Sequence, residues 1–279
     1  MAKIGEYNSL RVKKLVPFGV YLDGGEHGEI LMPVRYVPQG CKEDDIVDVF
    51  VYLDSEDRII ATTEKPYATV GEFALLKVVA ISRMGAFMDW GLPKDLLVPY
   101  REQKKEMKEG EEYIVFIYFD FESKRLAASA KIERFLDNTL PEYVIGQEVD
   151  LIIINESDLG FNAIIDQTHT GVLYKNEVFQ PLKKGDRLKG YIKKVREDEK
   201  IDLILQKPGY EKVDSVSQAI LDKLNQNNGY IAITDKSDPD DIYNLFQISK
   251  KTFKKAIGNL YRERLVSLED EGIRLIKKK

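Results

Sequence analysis

Three stretches of the chain repeat one order of apolar and polar positions. They are Leu10–Asp23, Leu75–Asp89 and Val149–Asp166. Each is an apolar, β-rich run, a turn, a glycine, and a second run ending in aspartate. The glycines, Gly19, Gly85 and Gly160, lie 66 and 75 positions apart. An apolar stretch follows each: Ile30–Pro33, Leu96–Pro99 and Gly171–Tyr174. A second glycine follows at Gly40, Gly110 and Gly185, which are 21, 25 and 25 residues beyond the first. Each unit then ends in a predicted hairpin: Ile46–Leu53 with Arg58–Thr62, Tyr113–Phe119 with Arg125–Ser129, and Arg187–Val195 with Lys200–Leu205. Five short strands in about 65 to 70 residues predict a small closed Greek-key barrel, three times over. Closure removes the exposed edges that would otherwise invite association.

Beyond Pro208-Gly209 the apolar period changes to that of a helix. Val216, Ala219, Ile220 and Leu224 mark one helix. Asp238-Pro239 starts a second, with Asp238 as cap and Pro239 at the first helical position. Ser249 caps a third, whose inner face is Phe253, Ala256, Ile257 and Leu260. Val266–Leu268 and Ile273–Ile276 flank Glu269–Gly272 as strand, turn, strand. Three helices and a hairpin are the order of a winged helix. The expected fold is therefore mainly β and multidomain: barrels over 1–66, 67–137 and 138–209, the last more divergent, then an α+β winged helix-turn-helix over 210–279. The connections Lys65–Tyr67, Asn138–Pro141 and Pro208–Val213 are short.

Charge refines this picture. The 279 residues carry a net charge of −5, which excludes blanket attraction to phosphate. Residues 1–66 hold 8 Lys+Arg against 12 Asp+Glu, whereas 249–279 hold 10 against 4. No apolar run approaches the roughly 18 residues of a membrane span. The start lacks a secretory apolar stretch, and one cysteine permits no internal disulfide; cytoplasmic location and no membrane partner are expected.

Chemistry-bearing clusters are sparse. His27 and His169 each fall in a predicted polar turn without a second ligand at metal spacing. Cys41 reads as a free surface thiol. There is no phosphate-binding loop and no dinucleotide fingerprint. No catalytic residue, metal or cofactor is expected, and the chain does not read as an enzyme.

Met84–Asp89 followed by Leu96–Pro99 resembles the OB-fold RNA-binding repeat called the S1 domain, and Phe18–Asp23 is its closest copy here. With Asp235–Pro239 and Ser249–Gly258 in the tail, the whole chain resembles the bacterial conserved virulence factor B family of RNA-binding regulators. The resemblance implies tandem barrels, RNA binding and no known reaction. It also implies a face of two aromatics with basic residues on a later strand. Such a face suits single-stranded RNA, because bases stack on rings while cations follow the phosphates.

On that pattern the first repeat offers Phe18, Tyr21 and Arg58. The second offers Phe87 and Arg125, with Met84 in place of the leading aromatic. In the third, Leu159 and Asn162 hold the aromatic positions. Phe161 is displaced by one residue, which turns it toward the core, and Tyr174 can compensate. Pro33 and Pro99 stand where the family often has histidine. Lys183, Lys184, Arg187, Lys189, Lys193, Lys194 and Arg196 form a basic strand pair suited to a phosphate track, with Lys193 and Arg196 as its leading candidates.

In the tail, Lys251, Lys254, Lys255 and Arg262 lie outside the third helix, with Gly258 among them, as groove or phosphate docking requires. The acidic wing tip, Glu269–Glu271, points the other way. RNA, DNA and a protein partner all remain open for this module. Three functions follow: a single-stranded RNA binder acting after transcription, a DNA-binding transcription regulator, or a protein-interaction adaptor.

Overall fold

Alternating inward residues build the first barrel. The strands are β1 (Tyr7–Val16), β2 (Gly19–Asp23), β3 (Glu29–Pro33), β4 (Ile46–Leu53) and β5 (Ile59–Thr62). Leu10, Val12, Val20, Leu22, Ile30, Met32, Val47, Val49, Val51 and Ala61 meet in its interior, as a period of two demands. In this computed structural model, which describes residues 1–178, 180–206 and 215–276, the chain forms two compact units, Met1–Leu205 and Gln206–Lys279.

The first unit holds three closed barrels of five strands with one topology. The second barrel has β6 (Phe73–Ile81), β7 (Gly85–Asp89), β8 (Leu96–Pro99), β9 (Glu112–Asp120) and β10 (Arg125–Ser129). The third has β11 (Glu148–Glu156), β12 (Gly160–Ile165), β13 (His169–Tyr174), β14 (Arg187–Val195) and β15 (Ile201–Ile204). In each, the third and fifth strands pair in parallel and the first closes on the fourth. This is the expected OB-like architecture.

The repeated glycines have a steric cause. A Cβ on Gly19, Gly85 or Gly160 would overlap the backbone oxygen of Met32, Val98 or Leu173 on the next strand. Seven residues earlier, each first strand carries a bulge, after Val12, Val78 and Ile153. Gly5, Gly71 and Gly146 form a further equivalent set that the repeat pattern had not exposed, each donating to the fourth strand (Val51, Ile117, Ile192). One match is corrected. Gly110 and Gly185 donate to the bulged strand at Val78 and Ile153, but in barrel one that bond to Val12 comes from Asp44, not Gly40. Asp44 lies 25 residues beyond Gly19, the spacing of the other two, and adopts the same left-handed conformation at φ 70°. Aspartate tolerates that conformation, so no glycine is needed there.

Apolar junctions connect the barrels. Strand β4 is buried on both sides, because its Phe50 and Tyr52, with Ile60 of β5, join the core of barrel two beside Trp90 and Leu92. Trp90 stands 5.7 Å from Phe50 and 6.5 Å from Tyr52, both edge-on, and its Nε1 donates to Lys94 O at 2.6 Å. Barrels two and three share Phe73, Ile114, Ile132, Leu136, Ile152 and Ile164. Phe73 is bound there at both backbone atoms: its N donates to Gln167 Oε1 and its O accepts from Arg187 Nη2, each at 2.7 Å.

His169 is corrected from a polar turn to the buried start of β13. Its Nε2 lies 2.8 Å from the Thr139 carbonyl, which only accepts. Nδ1 therefore accepts from the Tyr143 hydroxyl at 3.0 Å. Burial, with Asp166 and Asp137 adding to it, pushes Tyr143 up to about 12. The histidine thus anchors the connection at Asn138–Pro141. Cys41 is half-buried against the first core rather than at the surface, and burial, then Asp45, pushes its thiol up.

The second unit contains α1 (Ser215–Gln226), β16 (Tyr230–Ile231), α2 (Pro239–Phe246), α3 (Lys250–Arg262), β17 (Val266–Glu269) and β18 (Gly272–Leu275). Asp238 accepts from Asp240 N at 2.9 Å and Ser249 from Thr252 N at 3.2 Å, so both expected caps form. Ile220, Leu224, Ile242, Phe253, Ala256, Ile257, Leu260, Val266 and Ile273 make the core. On α1, Ala219 faces solvent and Ser217 is buried instead. Strand β16 is two residues long, too short to leave a periodic signal. The connection Pro208–Val213 and the boundary at 209/210 lie outside the described residues. Among the described residues, no helix is long and apolar enough to cross a membrane.

Candidate nucleic-acid interface

In barrel one, Val20 and Leu22 point inward, so Tyr21 between them points outward. Phe18 precedes the obligatory glycine and is 54% exposed. The two rings meet edge to face, with centroids 6.3 Å apart. Lys14 Nζ lies 4.6 Å from the Tyr21 centroid and pairs with Glu29 at 2.7 Å. That hydrogen bond holds the Lys14 ammonium above its ordinary range. Arg58 turns onto its own hairpin: Nε donates to Asp54 Oδ2 at 2.8 Å and Nη1 reaches Glu56 at 2.9 Å.

In barrel two, Phe87 takes the register position of Tyr21, opposite Leu97 as Tyr21 is opposite Leu31. Met84 is 57% exposed. Arg125 pairs across the junction with Asp57 of barrel one, where Lys94 also donates at 3.0 Å. The second arginine of the expected basic set therefore latches the acidic β4–β5 turn of its neighbour. Tyr100, which the sequence reading passed over, follows β8 and is 46% exposed.

Barrel three is built differently. Phe161 pairs with Leu173 and packs on the core, while Asn162 occupies the outward position. Tyr174, Arg196 and Asp202 come together: the Tyr174 hydroxyl donates to Asp202 Oδ1 at 3.1 Å and accepts from Arg196 Nη2. Arg196 holds Asp202 at two further distances, 3.1 Å from Nε and 2.8 Å from Nη2. Lys193 lies 5.9 Å from the Tyr174 centroid and pairs with Glu177. Backbone bonding puts Arg196 where barrel one has Asp54, and the parallel register puts Asp202 in the place of Ile60 and Ala127. The charge at this corner is inverted.

Part of the broad basic strand pair is engaged elsewhere. Lys184 donates to Glu112 O at 2.8 Å and Arg187 to Phe73 O, so both serve the junction with barrel two. Lys189 pairs with Asp150 at 2.8 Å. Lys183 and Lys194 remain exposed.

On α3, Lys251, Lys254, Lys255 and Arg262 are exposed, opposite the buried Phe253, Ala256, Ile257 and Leu260. Lys254 pairs with Asp235 at 3.1 Å, and Arg262 donates to Asn259 Oδ1 at 2.7 Å. Nothing lies within 4 Å of a Cβ built at Gly258, so the domain's own packing does not require a glycine there. At the wing, Glu269 belongs to β17 and is bound by Arg274 at 2.6 Å, leaving Asp270 and Glu271 at the turn. Among the described residues, no group of three or more His, Cys, Asp or Glu could hold a metal ion.

Family models match the first two barrels and the winged helix. The S1 domain model matches residues 4–64 and 70–131, and the CvfB-like winged helix domain model matches 218–275. The chain is 27% identical to the uncharacterized protein YitL of Bacillus subtilis over 277 residues, covering 95% of this chain and 91% of that protein. It is 27% identical to conserved virulence factor B of Staphylococcus epidermidis over 275 residues, covering 92% and 90%. A solved multidomain protein with nucleic acid binding domains from Streptococcus pneumoniae aligns over 98% of both chains at 22% identity, with a TM-score of 0.43. S1 domain models, a CvfB-like winged helix model and relatives matched over nearly their whole length point the same way: the chain joins S1 domains to a CvfB-like winged helix, and it is similar over most of its length to conserved virulence factor B.

Proposed function

We propose that this protein is a non-catalytic, cytoplasmic binder of single-stranded RNA that regulates transcript fate or translation. The carrying observation is the edge-to-face pair Phe18–Tyr21 on the outside of a closed barrel. Unpaired bases gain roughly 1–3 kcal/mol each by stacking on such rings. In this reading the modules run 1–66, 67–137, 138–209 and 210–279. Phe87 and the Tyr174 corner add weaker contacts in series, and tethering raises their combined affinity.

The rings carry more of the binding than the cations. Arg58, Arg125, Lys193 and Arg196 each face a carboxylate already. Contact with RNA phosphate therefore exchanges one anion for another, with little net gain.

A second reading concerns the tail alone: Lys251, Lys254, Lys255 and Arg262 around an unneeded glycine suit duplex docking by α3. Titrating the intact chain against single-stranded RNA, single-stranded DNA and duplex DNA at one salt concentration separates the readings. Tightest binding to RNA, weakened by Phe18→Ala/Tyr21→Ala, is expected. Preference for duplex DNA would overturn the RNA assignment, and no affinity for any of the three would favour a protein partner.

A further inference from the structure

Barrel two has no ring at the position of Phe18, but the structure brings one there from another strand. The residue after β3, β8 and β13 donates its backbone N to the residue before the obligatory glycine. Val34 bonds Phe18 O at 2.9 Å, Tyr100 bonds Met84 O at 3.4 Å, and Lys175 bonds Leu159 O at 3.2 Å. The three pairs are equivalent, and only in barrel two is the donor, Tyr100, aromatic.

Strand alternation alone would bury Tyr100, since Leu96 and Val98 point inward. A 3-10 turn begins at Tyr100 and rolls the side chain out. Its hydroxyl donates to Ser82 O at 2.9 Å, which ties the ring to the β6–β7 loop that carries Met84. Arg83, at the position of Pro17 and Asp158, is exposed, and its side chain makes no hydrogen bond or ion pair among the described residues. An exposed thioether and an unengaged guanidinium thus sit on one loop, and a ring from the end of β8 is bonded to that loop.

We propose that Tyr100, Met84 and Arg83 form a separate subsite for one unpaired nucleotide: the base stacks on Tyr100 against Met84, and Arg83 takes its phosphate. The ring is fixed before binding, so little side-chain freedom is lost. Arg83 gives up no carboxylate partner, so its contact releases counterions in full. The proposal rests on the single-strand reading above, and it moves the leading ring of barrel two from the second strand to the end of the third.

The test uses the full chain and a fluorescent single-stranded RNA of about 20 nucleotides, read by anisotropy. Tyr100→Ala is expected to weaken binding by about tenfold, and Tyr100→Phe, which keeps the ring and loses the Ser82 bond, by less than about twofold. Equal losses in both variants would show that Tyr100 only pins the loop, and would overturn the subsite. So would wild-type affinity in Tyr100→Ala while Phe18→Ala/Tyr21→Ala weakens, an outcome that leaves the RNA reading intact. If the unaltered chain binds no single strand, both proposals fall. Should Tyr100→Ala lose its fold, photocrosslinking of the unaltered chain to 5-iodouridine RNA decides. A crosslink mapped to Tyr100 is expected, and crosslinks confined to other residues would overturn the assignment.

Discussion

The indole of Trp90 stands edge-on to the ring of Phe50, 5.7 Å away, so a residue of barrel two completes the burial of a strand of barrel one. Both are fully buried. Trp90→Ala should therefore cost about 3–5 kcal/mol, and it should loosen barrel one as well as barrel two. Denaturant unfolding followed by circular dichroism, with proteolysis sites mapped by mass spectrometry, checks this. Cleavage confined to barrel two would contradict a shared core.

The Asp57 latch at the same junction is expected to matter far less, and only above acid pH. Hydrogen bonds from Arg125, then Lys94, hold its carboxyl below the usual carboxylate range. A depressed carboxylate stabilises the fold fully above its unfolded value, near 3.9, and that contribution is lost as pH falls through the folded value. The stability difference between the wild type and Asp57→Asn should therefore shrink as pH drops below about 4. A constant difference across the acid range would show that the carboxylate is not the source.

Gly85→Ala should destabilise barrel two by about 1–3 kcal/mol or more, because the new Cβ meets the Val98 carbonyl oxygen and backbone cannot step aside. Gly40→Ala has open space around its Cβ and should cost less, through its left-handed φ of 79° alone. Thermal melts of the two variants decide the order.

Gly258→Ala is expected to act in the opposite direction on stability. In the interior of α3, alanine is better than glycine by about 0.8–1 kcal/mol, and no neighbour opposes the methyl group. If α3 docks a partner closely, the same variant will bind duplex DNA less tightly while melting higher. Unchanged duplex affinity would remove Gly258 from the docking face.

Salt dependence measures how many phosphates are newly neutralised. With Arg58, Arg125, Lys193 and Arg196 already ion-paired, the slope of log K against log salt for single-stranded RNA should stay shallower than about −3, which corresponds to roughly four phosphates at −0.7 each. Titrations between low and physiological salt check this. A slope steeper than about −5 would mean that the ion pairs open and the cations dominate.

Period and spacing made the barrels legible. The one-residue offset of Phe161 against the aromatic position turned that ring to the core, where it packs. The caps Asp238 and Ser249 were equally readable, because a cap is a local bond between neighbours in sequence. Gly40 misled because glycine identity was followed instead of distance, whereas 25 residues from Gly19 leads to Asp44.

Local pattern by itself determined which strands form, which side chains face in, and where helices begin, since each depends on residues only a few positions apart. Only the tertiary structure decided what the outward side chains do. Phe50 and Tyr52 became core, and Arg125 and Arg187 became junction contacts. Tyr174 joined Arg196 and Asp202, and Tyr100 came to stand beside Met84. An outward position is identical in pattern whether water, a neighbouring barrel or a ligand lies beyond it. The difference is made by contacts between residues far apart in the chain, and no period along the sequence encodes them.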